Sequence, residues 1–185
     1  GRGSGALIQM LQGNKNVKVT ALADIFQDRV DEKLKKFQSI GEIKDRVDVK
    51  PDHMFVGIDA YKEILKTDID ILIHGTTPYV RPLHIMAAVK AGKHIFTEKP
   101  AAVDPTGIRL FVKAAKLAKE KNLSFVTGLQ RRHQKPYIET VKKIQDGALG
   151  DILGMRAYWC GTLPFVHKRK PEWKTDLEYC IRNWY

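Results

Sequence analysis

Short runs of apolar residues alternate with longer segments in which apolar residues recur every three or four positions. The runs VKVTALA at 17–23 and LSFVT at 123–127 are typical of buried strands, whereas Val30, Leu34 and Phe37 lie at helical spacing. Both patterns continue along the chain to residue 160. The predicted strands are residues 17–23, 55–56, 69–74, 94–97, 123–127 and 152–160, and the predicted helices are residues 6–11, 28–39, 60–66, 81–91, 105–121 and 136–145.

Strands that are separated by helices form a parallel sheet with helices on both faces. We therefore expect an α/β fold built on a doubly wound parallel sheet. The alternation stops near residues 147–150, which predicts a domain boundary: residues 1–149 form the first domain and residues 150–185 begin a second one. The pattern of residues 163–185 assigns no helix or strand.

The chain opens with a cluster of glycines before its first helix. Gly1, Gly3 and Ser4 precede the apolar residues of that helix. Such a turn lets backbone N–H groups approach a pyrophosphate, whose charge is favoured by the N-terminus of the helix. The complete Gly-x-Gly-x-x-Gly fingerprint and a strand before it are not in the sequence. A flexible chain end is the alternative explanation, and the glycines alone do not decide between the two.

Asp24 follows the predicted strand 17–23 and lies 21 residues after Gly3. This is close to the spacing of about 20 between the glycines and the acidic residue of dinucleotide-binding folds. The carboxylate would accept hydrogen bonds from the adenosine ribose and repel the 2′-phosphate of NADP, so NAD is the expected cofactor. Arg29 would offset part of that repulsion, which keeps NADP as the alternative. Asp24 could instead be a helix N-cap or turn residue.

These features predict a Rossmann-type sheet whose first strand is missing from this chain. That strand lies in the middle of such a sheet, and its removal would leave a slot with unpaired backbone on both sides. We expect the natural protein to begin about ten or more residues earlier, judging by the usual length of a strand.

Three further stretches follow predicted strands. They are Thr76-Thr77-Pro78, with His84 six residues after the proline, the segment AGKHIFTEKP at 91–100, and the segment GLQRRH at 128–133. Together they resemble the glucose–fructose oxidoreductase, inositol dehydrogenase and rhizopine-catabolism (Gfo/Idh/MocA) family, over residues 1 to about 158. The AGKH-x-x-x-EKP pattern is the most specific part of the match.

The resemblance implies an NAD(P)-dependent oxidoreductase that acts on the CH–OH group of a sugar, cyclitol or related polyol. In the family the EKP motif lies beside the nicotinamide, so Lys99 would be the catalytic residue that contacts the reacting hydroxyl and helps to move its proton. Partial desolvation suits a lysine to such a transfer. Glu98 would contact the cofactor or orient the site, and Pro100 would fix the turn. A plain surface lysine is the alternative for Lys99.

The same resemblance assigns binding roles to further residues. Cofactor contacts would come from Thr76, Thr77, Pro78, Lys99 and Arg131, and substrate contacts from Lys99, Arg132 and His133. The three residues at 76–78 could instead form only a strand-to-helix turn, and Arg132 could pair with a carboxylate between domains. His84 is expected on a helix face that packs toward the sheet.

In the family, the second domain is an α+β unit with an open antiparallel sheet, which binds substrate and often forms the oligomer interface. We therefore expect a homo-oligomer. The family's catalytic Asp and His have no counterpart after Gly150, so this chain alone is expected to be inactive. Aromatic residues near the C-terminus are expected to pack this domain or an interface in preference to stacking on a sugar: Trp159, Phe165, Trp173, Trp184 and Tyr185.

Composition adds few constraints. The net charge is +11, but the lysines fall at exposed spacing on predicted helices, which favours a solvated surface over a nucleic-acid partner. The sequence contains no run of 18 apolar residues, so no membrane span is predicted. The histidines do not group as metal ligands, so no metal is expected. We expect a cytoplasmic protein, with periplasmic export left open because a removed signal would not be visible.

Three other functions compete with the dehydrogenase. A glycoside hydrolase that uses bound NAD transiently would belong to the same family. A non-catalytic dinucleotide-binding protein would also use the fold, although an intact EKP motif argues against it. Nucleic-acid binding rests on charge alone, since the sequence has no recognition motif.

Overall fold

A computed structural model describes residues 2–161 and 166–183. The chain divides into two compact units, residues 1–129 and residues 130–185. The boundary at 149/150 concerns the two domains of the complete family and stays a prediction.

Helices and strands alternate throughout the first unit, as the pattern predicts. Its strands are β1 (Leu22–Asp24), β2 (Met54–Val56), β3 (Ile71–His74), β4 (His94–Thr97) and β5 (Phe125–Thr127), and its helices are α1 (Arg2–Gly13), α2 (Gln27–Gln38), α3 (Ala60–Ile64), α4 (Arg81–Lys90) and α5 (Pro105–Glu120). The second unit contains α6 (Lys135–Gln145) and α7 (Asp176–Arg182).

Local signals in the sequence explain where several helices begin and end. Asp104 caps α5: its carboxylate accepts a hydrogen bond from the Gly107 amide at 2.7 Å, and Pro105 occupies the first helical position. Gly92 follows the end of α4 with a φ of +75°, a conformation that glycine adopts without a steric cost.

All strand pairs are parallel. β1 pairs with β2, and β4 lies between β3 and β5. In the described part of the chain, no strand joins β1 to β3, which is where the sequence predicts that the first strand of a Rossmann sheet is missing. The predicted strand 17–23 is correspondingly reduced to β1 and one bridge between Val19 and Val47.

The main hydrophobic core lies where α4 and α5 pack on β4. Ile85, Val89 and Ile95 are fully buried or nearly so, and Ala88 and Ala114 let the two helices approach closely. A second, smaller core is formed by Leu11 of α1 with residues from the segments on either side of α2. Both cores bury one face of each helix, which confirms the predicted layered α/β fold.

The second unit departs from the sequence-based expectations. The predicted strand at 152–160 is wrong, since those residues form no strand. A strand needs a neighbour for its N–H and C=O groups, and the described part of this unit supplies none. The unassigned C-terminal segment contains α7, whose start has a signal that the sequence analysis missed: Thr175 accepts a hydrogen bond from the amide of Glu178, three residues later.

The C-terminal aromatic residues differ in their surroundings. Trp173 is buried and packs near His167 and Tyr179, which agrees with the expected packing role, whereas Trp159 is largely exposed. Phe165, Trp184 and Tyr185 lie outside the described residues. No helix among the described residues is both long enough and apolar enough to cross a membrane.

A histidine pair lies at the end of β3. His74 is 5% exposed, and its Nε2 lies 3.2 Å from Nδ1 of His84. The ring of His84 in turn stacks on the ring of Tyr61. His84 therefore packs toward the sheet, as expected. Burial, with a smaller contribution from the neighbouring His84 and Arg81, lowers the pKa of His74 to about 3, and burial lowers the pKa of His84 to about 4.

These shifts predict a loss of stability in mild acid. Both imidazoles gain protons near pH 6.5 in the unfolded chain but only near pH 3 to 4 in the folded one. The free energy of unfolding is then at its full value above pH 6.5. It falls as the pH drops below that value, by up to about 1.4 kcal/mol per pH unit for the buried His74 and by less for the partly exposed His84, whose charge is screened by solvent.

Urea denaturation between pH 7 and pH 5 measures this slope. We expect His74→Asn to reduce it and His133→Asn, a change at an exposed histidine, to leave it unchanged. An equal slope in the wild type and His74→Asn would contradict the prediction.

Candidate functional site

The carboxyl ends of three strands form a continuous edge in the first unit. His74 of β3 pairs with Thr97 of β4, which pairs with Thr127 of β5. The hydrogen-bond ladder extends one residue further, because the Glu98 amide donates to the His74 carbonyl at 3.0 Å and the Gly128 amide to the Thr97 carbonyl at 2.8 Å. The loops after β3 and β4, which carry five of the predicted site residues, Thr76, Thr77, Pro78, Glu98 and Lys99, therefore begin in one row.

The start of α1 lies against the end of β3. A Cβ atom added to Gly3 would lie 2.9 Å from the Cα of Gly75, and one added to Gly75 would lie 2.7 Å from the Cα of Gly3. Only a pair of glycines permits this approach of two backbones. It is the packing role of the last glycine in a dinucleotide fingerprint. Gly75 is not among the predicted site residues, although a glycine at a strand end is a signal of close backbone approach.

The glycine-rich turn that was predicted at residues 1–5 is, from Arg2 onward, part of α1. Gly3 and Ser4 thus belong to the first helical turn, where the backbone N–H groups have no acceptor within the helix. This turn is the part of the chain that would face a pyrophosphate. Gly1 lies outside the described residues, and the cofactor contacts of Gly3 and Ser4 stay predictions.

Asp24 occupies the last position of β1. Its Oδ1 accepts a hydrogen bond from the Phe26 amide at 3.1 Å, so the carboxylate does have the turn role that was the alternative in the sequence analysis. Partial burial raises its pKa above the usual value, while the Phe26 amide and Arg29 act in the opposite direction. Oδ1 serves the turn, and although neighbouring groups partly surround the carboxylate, the residue as a whole is exposed. Arg29 also lies 3.6 Å from Glu32.

The loop after β3 and the loop after β4 expose different residues. Thr76 is exposed, Thr77 is half-buried and Pro78 is buried, so the two hydroxyls are the parts of the first loop that could donate to a phosphate or ribose. In the second loop the Lys99 side chain is exposed. The desolvation that the sequence analysis expected for this lysine is therefore not supplied by the described residues.

Glu98 points inward beside Lys99. It is 8% exposed, and its carboxylate lies so close to Gly128 that a Cβ atom added there would be 3.0 Å from it. Of the two roles that were predicted for Glu98, this placement favours orienting the site over contacting the cofactor.

Arg81, the first residue of α4, is a site residue that the sequence analysis missed. It is 2% exposed, and its guanidinium donates to the backbone carbonyls of Thr76 and Pro100. The sequence offers little signal for it, because an arginine before a proline at a helix start is normally solvated.

Arg131, Arg132 and His133 belong to the second unit, in a 3₁₀ turn at Gln130–His133, and all three are exposed. Arg131 donates to the Tyr137 hydroxyl and stacks between the rings of Tyr137 and Trp159, with distances to the ring centroids of 5.2 and 5.4 Å. Their predicted contacts with cofactor and substrate stay predictions.

The residues of the first unit fit a dinucleotide. A helix N-terminus beside a glycine-only contact suits a pyrophosphate, an accessible carboxylate at the end of β1 suits ribose hydroxyls, and two threonines follow β3. Within the described part of the chain, no group of His, Cys, Asp and Glu could hold a metal ion.

Comparison with known proteins agrees with this geometry. Residues 2–128 match the model of the Gfo/Idh/MocA family, described as an oxidoreductase family with an NAD-binding Rossmann fold. An inositol 2-dehydrogenase/D-chiro-inositol 3-dehydrogenase of Halalkalibacterium halodurans is 27% identical over 139 residues, which are 75% of this chain and 36% of the relative. An inositol 2-dehydrogenase of Klebsiella pneumoniae is 30% identical over 53% of this chain and 28% of the relative.

Solved structures share the fold. The scyllo-inositol dehydrogenase of Lactobacillus casei, with bound NAD(H) and scyllo-inositol, superposes with a TM-score of 0.57 at 23% identity, covering 72% of this chain and 35% of that one. The chain thus spans about a third of the length of the proteins it resembles.

The contact between Gly3 and Gly75 leads to a prediction. Gly75→Ala would place a methyl group against backbone, which cannot move without shifting α1 from β3. Overpacking of this kind costs about 1–3 kcal/mol. We expect a lower unfolding midpoint and weaker NAD binding, measured by thermal denaturation and by titration of NAD into the complete gene product.

Gly41→Ala is the matched control, because a Cβ atom at Gly41 would meet nothing within 4 Å. If the two variants behaved alike, the close approach would not constrain the site.

Proposed function

Because the chain belongs to the Gfo/Idh/MocA family of NAD-binding oxidoreductases, we propose that it forms the cofactor-binding part of an NAD-dependent dehydrogenase. The substrate would be a cyclitol, sugar or related polyol, and the reaction would transfer a hydride between its CH–OH carbon and the cofactor. The inositol dehydrogenases among its relatives support a cyclitol in particular.

One observation carries the proposal: the loop with Thr76 and Thr77 and the loop with Lys99 begin side by side at the carboxyl edge of the parallel sheet. In open α/β sheets this edge is where ligands bind. The start of α1 reaches the same edge through the contact of Gly3 with Gly75. Backbone N–H groups that could donate to a pyrophosphate, hydroxyl groups that could donate to a phosphate or ribose, and an amine therefore belong to segments that start at the same edge.

The residues of this chain divide the binding work. The first turn of α1 would hold the pyrophosphate, Asp24 the adenosine ribose, and the hydroxyls of Thr76 and Thr77 the diphosphate or the second ribose. The 3-ketoreductase KijD10 of Actinomadura kijaniata, solved with NADP, has the same fold with a TM-score of 0.53, at 21% identity over 76% of this chain and 38% of that one. NADP therefore remains the alternative cofactor.

When bound, the nicotinamide would supply the hydride acceptor or donor. Lys99 would hold the substrate hydroxyl through its Nζ and take or return the proton of that hydroxyl as the hydride moves. Proton transfer by a positioned side chain contributes about 10²- to 10⁴-fold to a rate. Arg131 would add a cofactor contact and Arg132 and His133 would add substrate contacts, and the remaining substrate contacts and a homo-oligomer interface would come from the second domain.

The proposed function is tested by adding inositols and sugars, with NAD, to the complete gene product and measuring the absorbance of NADH. We expect the absorbance to rise. Lys99→Ala should lower kcat by about 10²- to 10⁴-fold, because the proton loses its acceptor. Cofactor affinity should change little.

Lys116→Ala, at an exposed lysine of α5, is the matched control. A Lys99→Ala enzyme with the turnover rate of the wild type would end the catalytic assignment. Cleavage of a glycoside that requires bound NAD but produces no net NADH would instead indicate the glycoside hydrolase.

Cofactor choice gives a separate prediction. Asp24→Ser removes a negative charge from the position of the 2′-phosphate, and one such repulsion at a few ångströms in a surface site is worth about 1 kcal/mol or more. The ratio of kcat/KM for NADP to that for NAD should therefore rise by about tenfold.

Asp52→Ser serves as the control, since this exposed aspartate precedes the amino end of β2. An equal ratio in both variants would show that Asp24 does not meet the ribose.

A further inference from the structure

The buried guanidinium of Arg81 connects two loops of the site. One Nη donates to the carbonyl of Thr76, in the loop after β3, and the other donates to the carbonyl of Pro100, in the loop after β4. A guanidinium is planar and rigid, so two donors on one fork fix the separation of their acceptors. A single side chain thereby ties the predicted cofactor loop to the loop that carries Lys99.

The surroundings of Arg81 show that this is a charged group held inside the protein. Burial lowers the pKa of Arg81 to about 10, which still leaves it protonated at neutral pH, and Glu98 acts in the opposite direction. Nε of Arg81 and Oε2 of Glu98 are both buried, and neither has a hydrogen-bond partner among the described residues. A buried cation and a buried carboxylate with unused hydrogen-bonding capacity are costly to maintain.

These buried groups lie next to Lys99. Glu98 and Pro100 are the two neighbours of Lys99 in the chain. Arg81 holds the carbonyl of Pro100 and interacts with the charge of Glu98. The Glu98 amide in turn donates to the His74 carbonyl. The backbone is therefore held by a hydrogen bond on each side of Lys99, while the side chain of Lys99 stays exposed.

We propose that Arg81 is a positioning residue, which sets the distance between the cofactor loop and Lys99 so that the Lys99 amine reaches the reacting hydroxyl. It acts through the carbonyls of Thr76 and Pro100 and touches neither cofactor nor substrate. This inference rests on the proposed dehydrogenase function.

The test compares four forms of the complete gene product by NAD-dependent turnover: wild type, Arg81→Lys, Lys99→Ala and the double variant. Lysine keeps the positive charge at residue 81, but a single ammonium lacks the planar fork that spans two carbonyls. We expect Arg81→Lys to lower kcat at least tenfold, with a smaller change in the dissociation constant of NAD. In the Lys99→Ala background the same substitution should lower kcat less than twofold, because Arg81 acts through Lys99.

A structural role that is independent of Lys99 would give the same fold loss in both backgrounds, which would overturn the inference. So would an Arg81→Lys enzyme with the kcat of Arg109→Lys, the control at an exposed arginine of α5. If Arg81→Lys is unfolded at the assay temperature, Glu98→Gln replaces it in the same cycle. Glu98→Gln keeps the shape of the side chain and removes the negative charge that acts on Arg81. We expect it to lower kcat at least tenfold in the wild-type background and less than twofold in the Lys99→Ala background.

The wild type separates this inference from the function on which it rests. A wild-type protein that turns over while the variants show no dependence on Lys99 contradicts only the role of Arg81. A wild-type protein with no NAD-dependent turnover on any polyol or sugar overturns the proposed function and the role of Arg81 with it.

Discussion

The parallel register of β3, β4 and β5 is the constraint on which the site depends. Backbone hydrogen bonds align His74, Thr97 and Thr127, so the loops that follow must start at one edge. The core of α4 and α5 holds that register in place by burying apolar residues against β4. Residues far apart in the chain, such as His74 and Thr97, become neighbours through strand pairing, so the loops that carry Thr77 and Lys99 start side by side.

The same edge collects the buried polar groups of the described chain. The polar or charged residues that are buried there are His74, Arg81, Thr97 and Glu98, and all of them lie at the ends of β3 and β4 or at the start of α4. Buried polar groups cost stability unless they are hydrogen-bonded. Arg81 makes two such hydrogen bonds, to the backbone carbonyls of Thr76 and Pro100 in the loops of the site. The protein therefore accepts a less stable interior where the loops of the site must be held, and keeps the rest of its core apolar.

How far the sequence predicted this arrangement depends on whether a feature is local. The start of α5 at Pro105, the end of α4 before Gly92 and the end of β4 before the EKP motif follow from neighbouring residues, and the predicted ranges 105–121, 81–91 and 94–97 agree with the structure to within one residue. The predicted strand at 152–160 was wrong because a strand is decided by its neighbour, which periodicity does not reveal. The contacts of Arg81 and of Gly75 with Gly3 escaped for the same reason: each joins segments that are distant in the chain.

The exposure of Lys99 bears on how such a site could work. A lysine that is to exchange a proton near neutral pH benefits from an environment with little water, and the described residues leave this side chain in solvent. Hydrogen bonds instead hold the backbone on both sides of Lys99, at the Glu98 amide and at the Pro100 carbonyl. Water would then have to be displaced by the ligands themselves, a nicotinamide on one side and a polyol on the other. A rigid backbone with an exposed amine would suit this order of events, because the backbone of Lys99 is placed before the ligands arrive, and the position and reactivity of its amine would be set only after they have bound.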